Sequence, residues 1–360
     1  MTSRARRRDR LVYLSSHPVL LTLLAVLRSR AVWRARGVVV VNDTDVFLET
    51  LSRFPLDRTD PRSTGGAARR AGIGQLLFDQ DGDEHRTARR ELSEELGQSG
   101  IGKLRTAWVG VLERRIPQVV DGGLDVVALA AELSGTTAAA LLGCSADPLA
   151  LAAAARRAAA ITVRDELPGR RLRGRSLPRA GAELMDLLGD SPWPAGIATM
   201  TAIAAINTTV AAIPRAVAWC ADDRLWGRVE DPEVRSRLVI ELLRVLAPSP
   251  ILPRVAAADG TVGGCPVRSG DRLVLVARHA ARSYCADPDP DHPQPPSMAH
   301  LVFGAGRHTC PGTALARSQM EDVLAMLAPY RPVVCEARVD RRAALPSWRR
   351  LVVRGDVRAV

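Results

Sequence analysis

Apolar residues recur along most of this chain three and four positions apart, the spacing that lines one face of a helix. The pattern predicts helices over 43–51, 84–97, 104–120, 124–142, 180–188, 233–246 and 313–327. Four consecutive valines within 37–42 read as a buried strand, and 272–276 alternates as a strand does. Short strands are also predicted at 331–334 and 350–353. The stretch 195–213 carries no charge and is long enough to span a bilayer. Ala and Thr dominate it, Asn207 interrupts it and Pro214 with Arg215 close it, so a helix buried in a protein core is expected. The apolar run 19–27 follows a basic stretch over 4–10 without a small-residue cleavage site, and reads as an early amphipathic helix. Segments 65–74 and 164–178, rich in Gly, Arg and Pro, read as loops, the second as an exposed, mobile connection. Residues 287–296 read as a Pro- and Asp-rich meander. No repeat or interdomain linker interrupts the series, so one domain over 1–360 is expected, mainly α with a small β portion.

Composition agrees with that class. Hydrophobic residues make up 47% of the chain and aromatic residues only 4%, leaving Leu, Val and Ala to fill the core. The net charge of +11 comes from arginine, since Lys103 is the only lysine. No zinc-finger spacing, RNA-recognition motif or basic zipper accompanies the charge, so nucleic acid is not an expected partner. No membrane partner is expected either. The cysteines Cys144, Cys220, Cys265, Cys285, Cys310 and Cys335 lie far apart, which argues against a disulfide framework and for a reducing cytoplasm.

One segment concentrates the chemistry: Phe303-Gly304-Ala305-Gly306-Arg307-His308-Thr309-Cys310-Pro311-Gly312, directly before the helix predicted at 313. Gly304 and Gly306 allow tight turns and let the backbone approach a flat cofactor. Cys310 stands at a helix entrance, where partial positive charge favours thiolate over thiol. A cysteine so presented is suited to ligate iron from one side. His308 is close enough in sequence to reach an anionic group.

The segment resembles the haem-binding loop of the cytochrome P-450 superfamily, F-G-x-G-x-H-x-C-x-G, at every fixed position. The resemblance runs from about Gly37 to the C-terminus and implies the cytochrome P-450 fold, haem b as cofactor and Cys310 as iron ligand. Glu241 and Arg244 are similar to the family's E-x-x-R, a pair sharing one helix face. His85 and Arg89 resemble its H-x-x-x-R. By the same resemblance His85, Arg89, Arg254, His300 and His308 would hold the haem propionates, with Phe303, Gly304, Gly306 and Gly312 shaping the loop. The stretch 347–353 is similar to the closing hairpin of the family. Residues 1–36 would form an N-terminal extension with the first helix, and 145–194 a short lid region.

Two departures from the family stand out. Its A-G-x-[D/E]-T motif reads here Ala204-Ala205-Ile206-Asn207-Thr208. Thr208 matches the oxygen-binding threonine, while Asn207 replaces the acid that relays protons; restoring an acid there is expected to improve use of oxygen. The meander also lacks its usual arginine, for which His292 is the nearest substitute. The resemblance implies a monooxygenase acting on a small or medium organic molecule in bacterial specialised metabolism, with a ferredoxin-type electron donor. Asn207 keeps open a haem enzyme using peroxide or catalysing a dehydration or rearrangement. The short lid and the meander keep open a haem-free helper of a glycosyltransferase.

Overall fold

The structure, a computed structural model, describes residues 3–63, 82–166 and 176–355, without the side chains of 82–85, 165–166 and 176–178. The expected loop over 65–74 and most of the connection over 164–178 therefore lie outside the described residues. The chain begins with α1 (Arg4–Ser16), α2 (Pro18–Leu27), β1 (Val32–Ala35), β2 (Val38–Val41), α3 (Thr44–Arg53) and β3 (Leu56–Asp57). A helical stretch follows, from α4 (Gly82–Glu95), α5 (Gln98–Arg115), β4 (Leu124–Asp125) and α6 (Val126–Leu142) to α7 (Pro148–Glu166), α8 (Ser176–Leu187) and α9 (Ala195–Asp222). Then come α10 (Trp226–Glu230), α11 (Pro232–Leu246), β5 (Leu252–Ala256), β6 (Gly260–Val262), β7 (Cys265–Val267), β8 (Arg272–Leu275) and α12 (Ala277–Ala280). The chain closes with α13 (Pro296–Ala299), α14 (Thr313–Leu327), β9 (Val333–Val339) and β10 (Trp348–Arg354).

Local chemistry explains the firmest boundaries. Asp43, Asp125 and Asp231 each accept the free N–H groups at the start of α3, α6 and α11. Gly143 ends α6 in the left-handed conformation that glycine adopts without strain. The helices enclose a large core containing Trp108, Trp219 and Trp348. A second core lies on the five-stranded sheet, ordered β1-β2-β8-β5-β3, with α3 and α12 packed against it. Among the described residues, only β2 and β8 pair in parallel. Four valines in β2 serve this sheet, with Val39 and Val41 in the second core and Val40 buried on the N-terminal helices.

The long uncharged helix is corrected at its end. α9 does not stop at Pro214 but runs through it to Asp222. Proline deprives one carbonyl of its partner, but packing holds the helix on both sides, and residues 209–220 are all buried. Arg215 then reaches Asp9 of α1 at 2.6 Å, and Arg278 meets the same carboxylate at 3.0 Å, all three buried. α9 is long and apolar enough to cross a membrane, yet 72% of its apolar window is buried within the protein.

The N-terminal helices are also tied to the sheet. Asn42 spends its amide hydrogens on the carbonyls of Leu27 and Arg30 at 3.0 and 2.9 Å. Its oxygen must therefore accept from His279 Nδ1, 2.7 Å away. Burial, then the charges of Arg278 and Arg28, push the His279 pKa down to about 4. The unfolded chain takes up a proton near the ordinary value of 6.5, so this histidine lowers folding stability as pH falls from 6.5 to about 4. The loss across that window should be roughly 3 kcal/mol. His279→Gln keeps an N–H donor without the titration and should flatten the profile of urea midpoint against pH. Identical profiles for the two proteins would show that His279 does not bear the acid sensitivity.

Candidate functional site

The loop from Phe303 to Gly312 is held by its own backbone. Cys310 N–H donates to the Phe303 carbonyl at 2.8 Å, and Thr309 N–H to the Gly306 carbonyl at 3.1 Å. Gly304 and Gly306 both adopt positive φ, at 79° and 70°. Gly306 has a second reason to be glycine, because a Cβ there would stand 3.0 Å from the Leu51 carbonyl oxygen at the end of α3. Phe303 packs against both the helical core and the sheet core, pinning the loop between them.

Cys310 is exposed at the entrance to α14, yet dense protein around it keeps water from solvating a charge. That desolvation raises its thiol pKa, while the Gly312 N–H, the Arg89 guanidinium and the Thr313 hydroxyl pull it down. Pro311 has no N–H to offer, so Gly312 supplies the backbone donor to sulfur. A Cβ at Gly312 would lie 3.8 Å from the sulfur. The net effect favours the thiol, and a bound cation would be needed to hold the thiolate.

Arg89 reaches from α4 to the Thr309 carbonyl at 2.6 Å and so stands beside Cys310. Arg254 of β5 donates to the Pro253 carbonyl at 2.8 Å, but its Nε is buried without a hydrogen-bond partner among the described residues. Burial and the nearby charge of Arg58 push its pKa down to about 10. This is a cation in need of an anion, and a haem propionate would supply one. The buried orphan donor, the approachable glycine backbone and the lone sulfur together fit the haem b implied by the loop.

The other expected residues are distributed less simply. His308 is half-buried two residues before the cysteine. His300 is exposed, and its Nε2 lies 3.3 Å from Arg317 of α14. No contact joins His300 to Arg89, Arg254 or Cys310 among the described residues. The His85 side chain lies outside them.

Glu241 and Arg244 form a fully buried, two-pronged ion pair, with Arg244 Nε and Nη2 at 2.9 and 2.7 Å from the carboxylate oxygens. Arg244 also donates to the carbonyls of Ala281, Arg282 and Ala286, and Glu241 accepts the Gln294 backbone N–H at 3.1 Å. This last contact ties the pair to the meander, which has no arginine of its own. His292 does not take that place: its side chain is 88% exposed and pairs with Asp289. Arginines outside the meander grip it instead, Arg6 at Asp287, Arg228 at Asp291 and Arg237 at the Pro290 carbonyl.

Thr208 and Asn207 lie on α9. Thr208 donates to the Ala204 carbonyl of its own helix at 2.8 Å. Asn207 spends Nδ2 on Ile203 at 2.8 Å and on Ala155 of α7 at 3.3 Å. Neighbouring Thr209 donates to Gln319 of α14 at 3.4 Å, and Gln319 donates to Thr137 of α6 at 2.8 Å. This buried chain links the helix carrying Thr208 to the helix that begins beside Cys310. Sequence reading passed over Thr137, Thr209 and Gln319. Their only signal is a polar residue on an otherwise apolar helix face.

Comparison with known proteins agrees with this geometry. The family model described as Cytochrome P450 matches residues 234–337. The chain is 33% identical over 130 residues to putative cytochrome P450 140 of Mycobacterium bovis, covering 35% of this chain and 30% of that protein. It is 40% identical over 115 residues to mycocyclosin synthase of Mycobacterium tuberculosis, covering 29% of this chain and 28% of the relative. These matches thus span less than a third of either relative's length. The fold is shared far more widely. The crystal structure of P450BioI, in complex with acyl carrier protein ligated to hexadec-9Z-enoic acid, superposes with a TM-score of 0.76 at 20% identity. That superposition covers 95% of this chain and 100% of the other. The cysteine loop and the buried Glu241–Arg244 pair agree with the match of residues 234–337 to the Cytochrome P450 model, and the chain has the cytochrome P450 fold.

Proposed function

We propose that this chain is a haem-thiolate monooxygenase oxidising a small or medium organic molecule in bacterial specialised metabolism. The observation that carries the reading is Cys310, presented alone by a glycine-shaped loop beside Arg89, with the orphaned Arg254 available to a propionate. Mycocyclosin synthase, a biosynthetic relative by its name, supports the metabolic setting. Haem b bound there supplies activation of oxygen with two electrons. Cys310 holds the iron and Gly312 N–H tempers the charge on its sulfur. Arg89, Arg254, His85, His300 and His308 are assigned to the propionates, and Thr208 to binding oxygen. The electrons come from a ferredoxin-type donor, and exposed Arg86 and Arg90 on α4 with Arg307 in the loop give an acidic carrier a basic approach. The cytoplasm is the proposed compartment and one haem-binding domain the proposed organisation.

A second reading has one observation in its favour. The Asn207 amide hydrogens are both committed to carbonyls, so this side chain has no proton to pass on. Use of peroxide, or a dehydration or rearrangement, would need no relay from that position. Turnover with hydrogen peroxide and none with a reductase system would establish this reading over the first.

The carbon monoxide spectrum of the reduced, haem-loaded protein tests the ligand. A thiolate-type band is expected for the unaltered protein and for Cys285→Ala and Cys335→Ala, and no such band for Cys310→Ala. A normal band in Cys310→Ala would remove the basis of the proposal.

Charge-assisted bonds of this kind contribute about 1.5–3 kcal/mol each. Arg89→Ala with Arg254→Ala should therefore release haem to apomyoglobin much faster while the helical circular dichroism stays intact. Unchanged haem transfer would dismiss both arginines as propionate ligands.

Asn207→Asp is subject to a constraint that the sequence did not reveal. A carboxylate there would face the carbonyl oxygens of Ile203 and Ala155, which favours the protonated acid and raises its pKa. The variant should give a higher ratio of product to peroxide at low pH. The gain should disappear as pH rises through that elevated pKa. A gain independent of pH would mean that the new side chain has left both carbonyls.

A further inference from the structure

The outer face of α1 and α2 is unlike the rest of the surface. Four of the most exposed large apolar side chains lie there: Leu11 at 56%, Val19 at 84%, Leu23 at 52% and Val26 at 71%. Val19, Leu23 and Val26 follow one stripe of α2, opposite the buried Leu21 and Leu24. On α1, Arg7, Arg10, Leu11 and Leu14 follow one stripe, at helical spacing. Between the two helices lies an open hollow walled by Leu14, Thr22, Ala25 and Val26, with Arg10 and Arg28 at its rim.

The charges around this stripe are as distinctive as the apolar residues. Arg7, Arg10 and Arg30 are exposed and have no acidic partner among the described residues, whereas Arg4, Arg6 and Arg8 are paired with Asp222 or Asp287. The first 42 residues contain a single acidic side chain, Asp9, and it is buried against Arg215 and Arg278. The face therefore presents aliphatic side chains flanked by guanidinium groups, and neither helix contributes an exposed carboxylate to it.

We propose that this α1–α2 face lies on an anionic lipid surface, with Leu11, Val19, Leu23 and Val26 entering the apolar layer and Arg7, Arg10 and Arg30 meeting phosphate groups. Interfacial helices bind membranes by this combination of an apolar stripe and basic flanks. A fluid layer suits the patch better than a protein partner. Its exposed apolar residues are aliphatic, without the Trp or Tyr anchors that dominate protein interfaces. The hollow at Arg10 and Arg28 is open enough for part of a lipid to settle between the helices. The proposal replaces the expectation of no membrane partner with surface attachment. α9 remains a core helix.

The test is co-sedimentation of the full-length, haem-loaded protein with vesicles of phosphatidylcholine, alone or mixed with phosphatidylglycerol. Binding is expected to the mixed vesicles and to weaken with added salt. Each arginine near such a surface contributes about a fivefold gain in partitioning, so Arg7→Gln, Arg10→Gln and Arg30→Gln together should reduce it about a hundredfold. Leu23→Ser with Val26→Ser should also release the protein, without change in its net charge. A triple variant of basic residues elsewhere, Lys103→Gln, Arg179→Gln and Arg349→Gln, controls for the overall charge of the chain and should change partitioning far less. No binding to the mixed vesicles would overturn the proposal. So would equal loss in the distant triple variant, or full binding by the Leu23, Val26 variant.

Discussion

The buried pair of Glu241 and Arg244 is the interaction on which the placement of the cysteine loop depends. Two charges have been taken out of water, and their mutual attraction alone does not offset that cost reliably. Here all five Arg244 hydrogens find acceptors and Glu241 accepts three hydrogen bonds. Arg244 grips Glu241 by two nitrogens and turns its remaining hydrogens onto three carbonyls beyond α12, while Glu241 accepts a backbone N–H of the meander. One helix, α11, thereby holds the chain at points over residues 281–294, on its way to the cysteine loop. Removing either partner would leave the other charge buried alone, at a cost of about 3–5 kcal/mol. The pair thus acts less as a source of stability than as a constraint on where the loop begins.

A second constraint acts on the same loop from the other end. α14 starts at Thr313, and its Gln319 is tied to Thr209 of α9 and Thr137 of α6. The helix carrying Thr208 and the helix that presents Cys310 are therefore coupled through a buried polar chain rather than through apolar contact alone. Apolar packing tolerates small slides between helices, whereas a buried hydrogen bond fails over a few tenths of an ångström. Asn207 adds a tether from α9 to α7. The Asn207 amide thus holds a neighbouring helix, which gives asparagine a physical reason to stand there.

Much of this arrangement was legible in sequence wherever the determinants are local. α14 matches its predicted range, and α11 matches to within one residue, because each has a clear apolar period and a marked start. The cysteine loop was legible because glycines at fixed offsets from a cysteine leave few conformations open. The long helix was misjudged at Pro214, where tertiary packing and the buried Arg215–Asp9 pair override a local stop signal. The strands β1, β5, β6 and β7 were missed because they are short and owe their existence to partners distant in sequence. Arg254 illustrates the consequence. Its number was suggested by resemblance, but its orphaned Nε follows from β5 pairing with β8, which no local pattern encodes. The polar chain through Gln319 was hidden for the same reason, since a polar residue in an apolar stripe does not announce its partner.

Arginine gives the chain its charge, and the structure divides the arginines by role. Arg215, Arg244 and Arg278 are buried and bind carboxylates or carbonyls, so their charge is internal architecture rather than an attraction for partners. Arg4, Arg6, Arg8 and Arg228 hold surface segments together through Asp222, Asp287 and Asp291. Whatever each contributes to stability, these pairs cancel charge locally. Part of what remains uncancelled lies on α1 and just after α2, where it coincides with aliphatic side chains that folding has left outside. Net charge alone could not distinguish these roles, because it counts a buried guanidinium and a free one alike. The distribution of partners is what converts a basic composition into a statement about a surface.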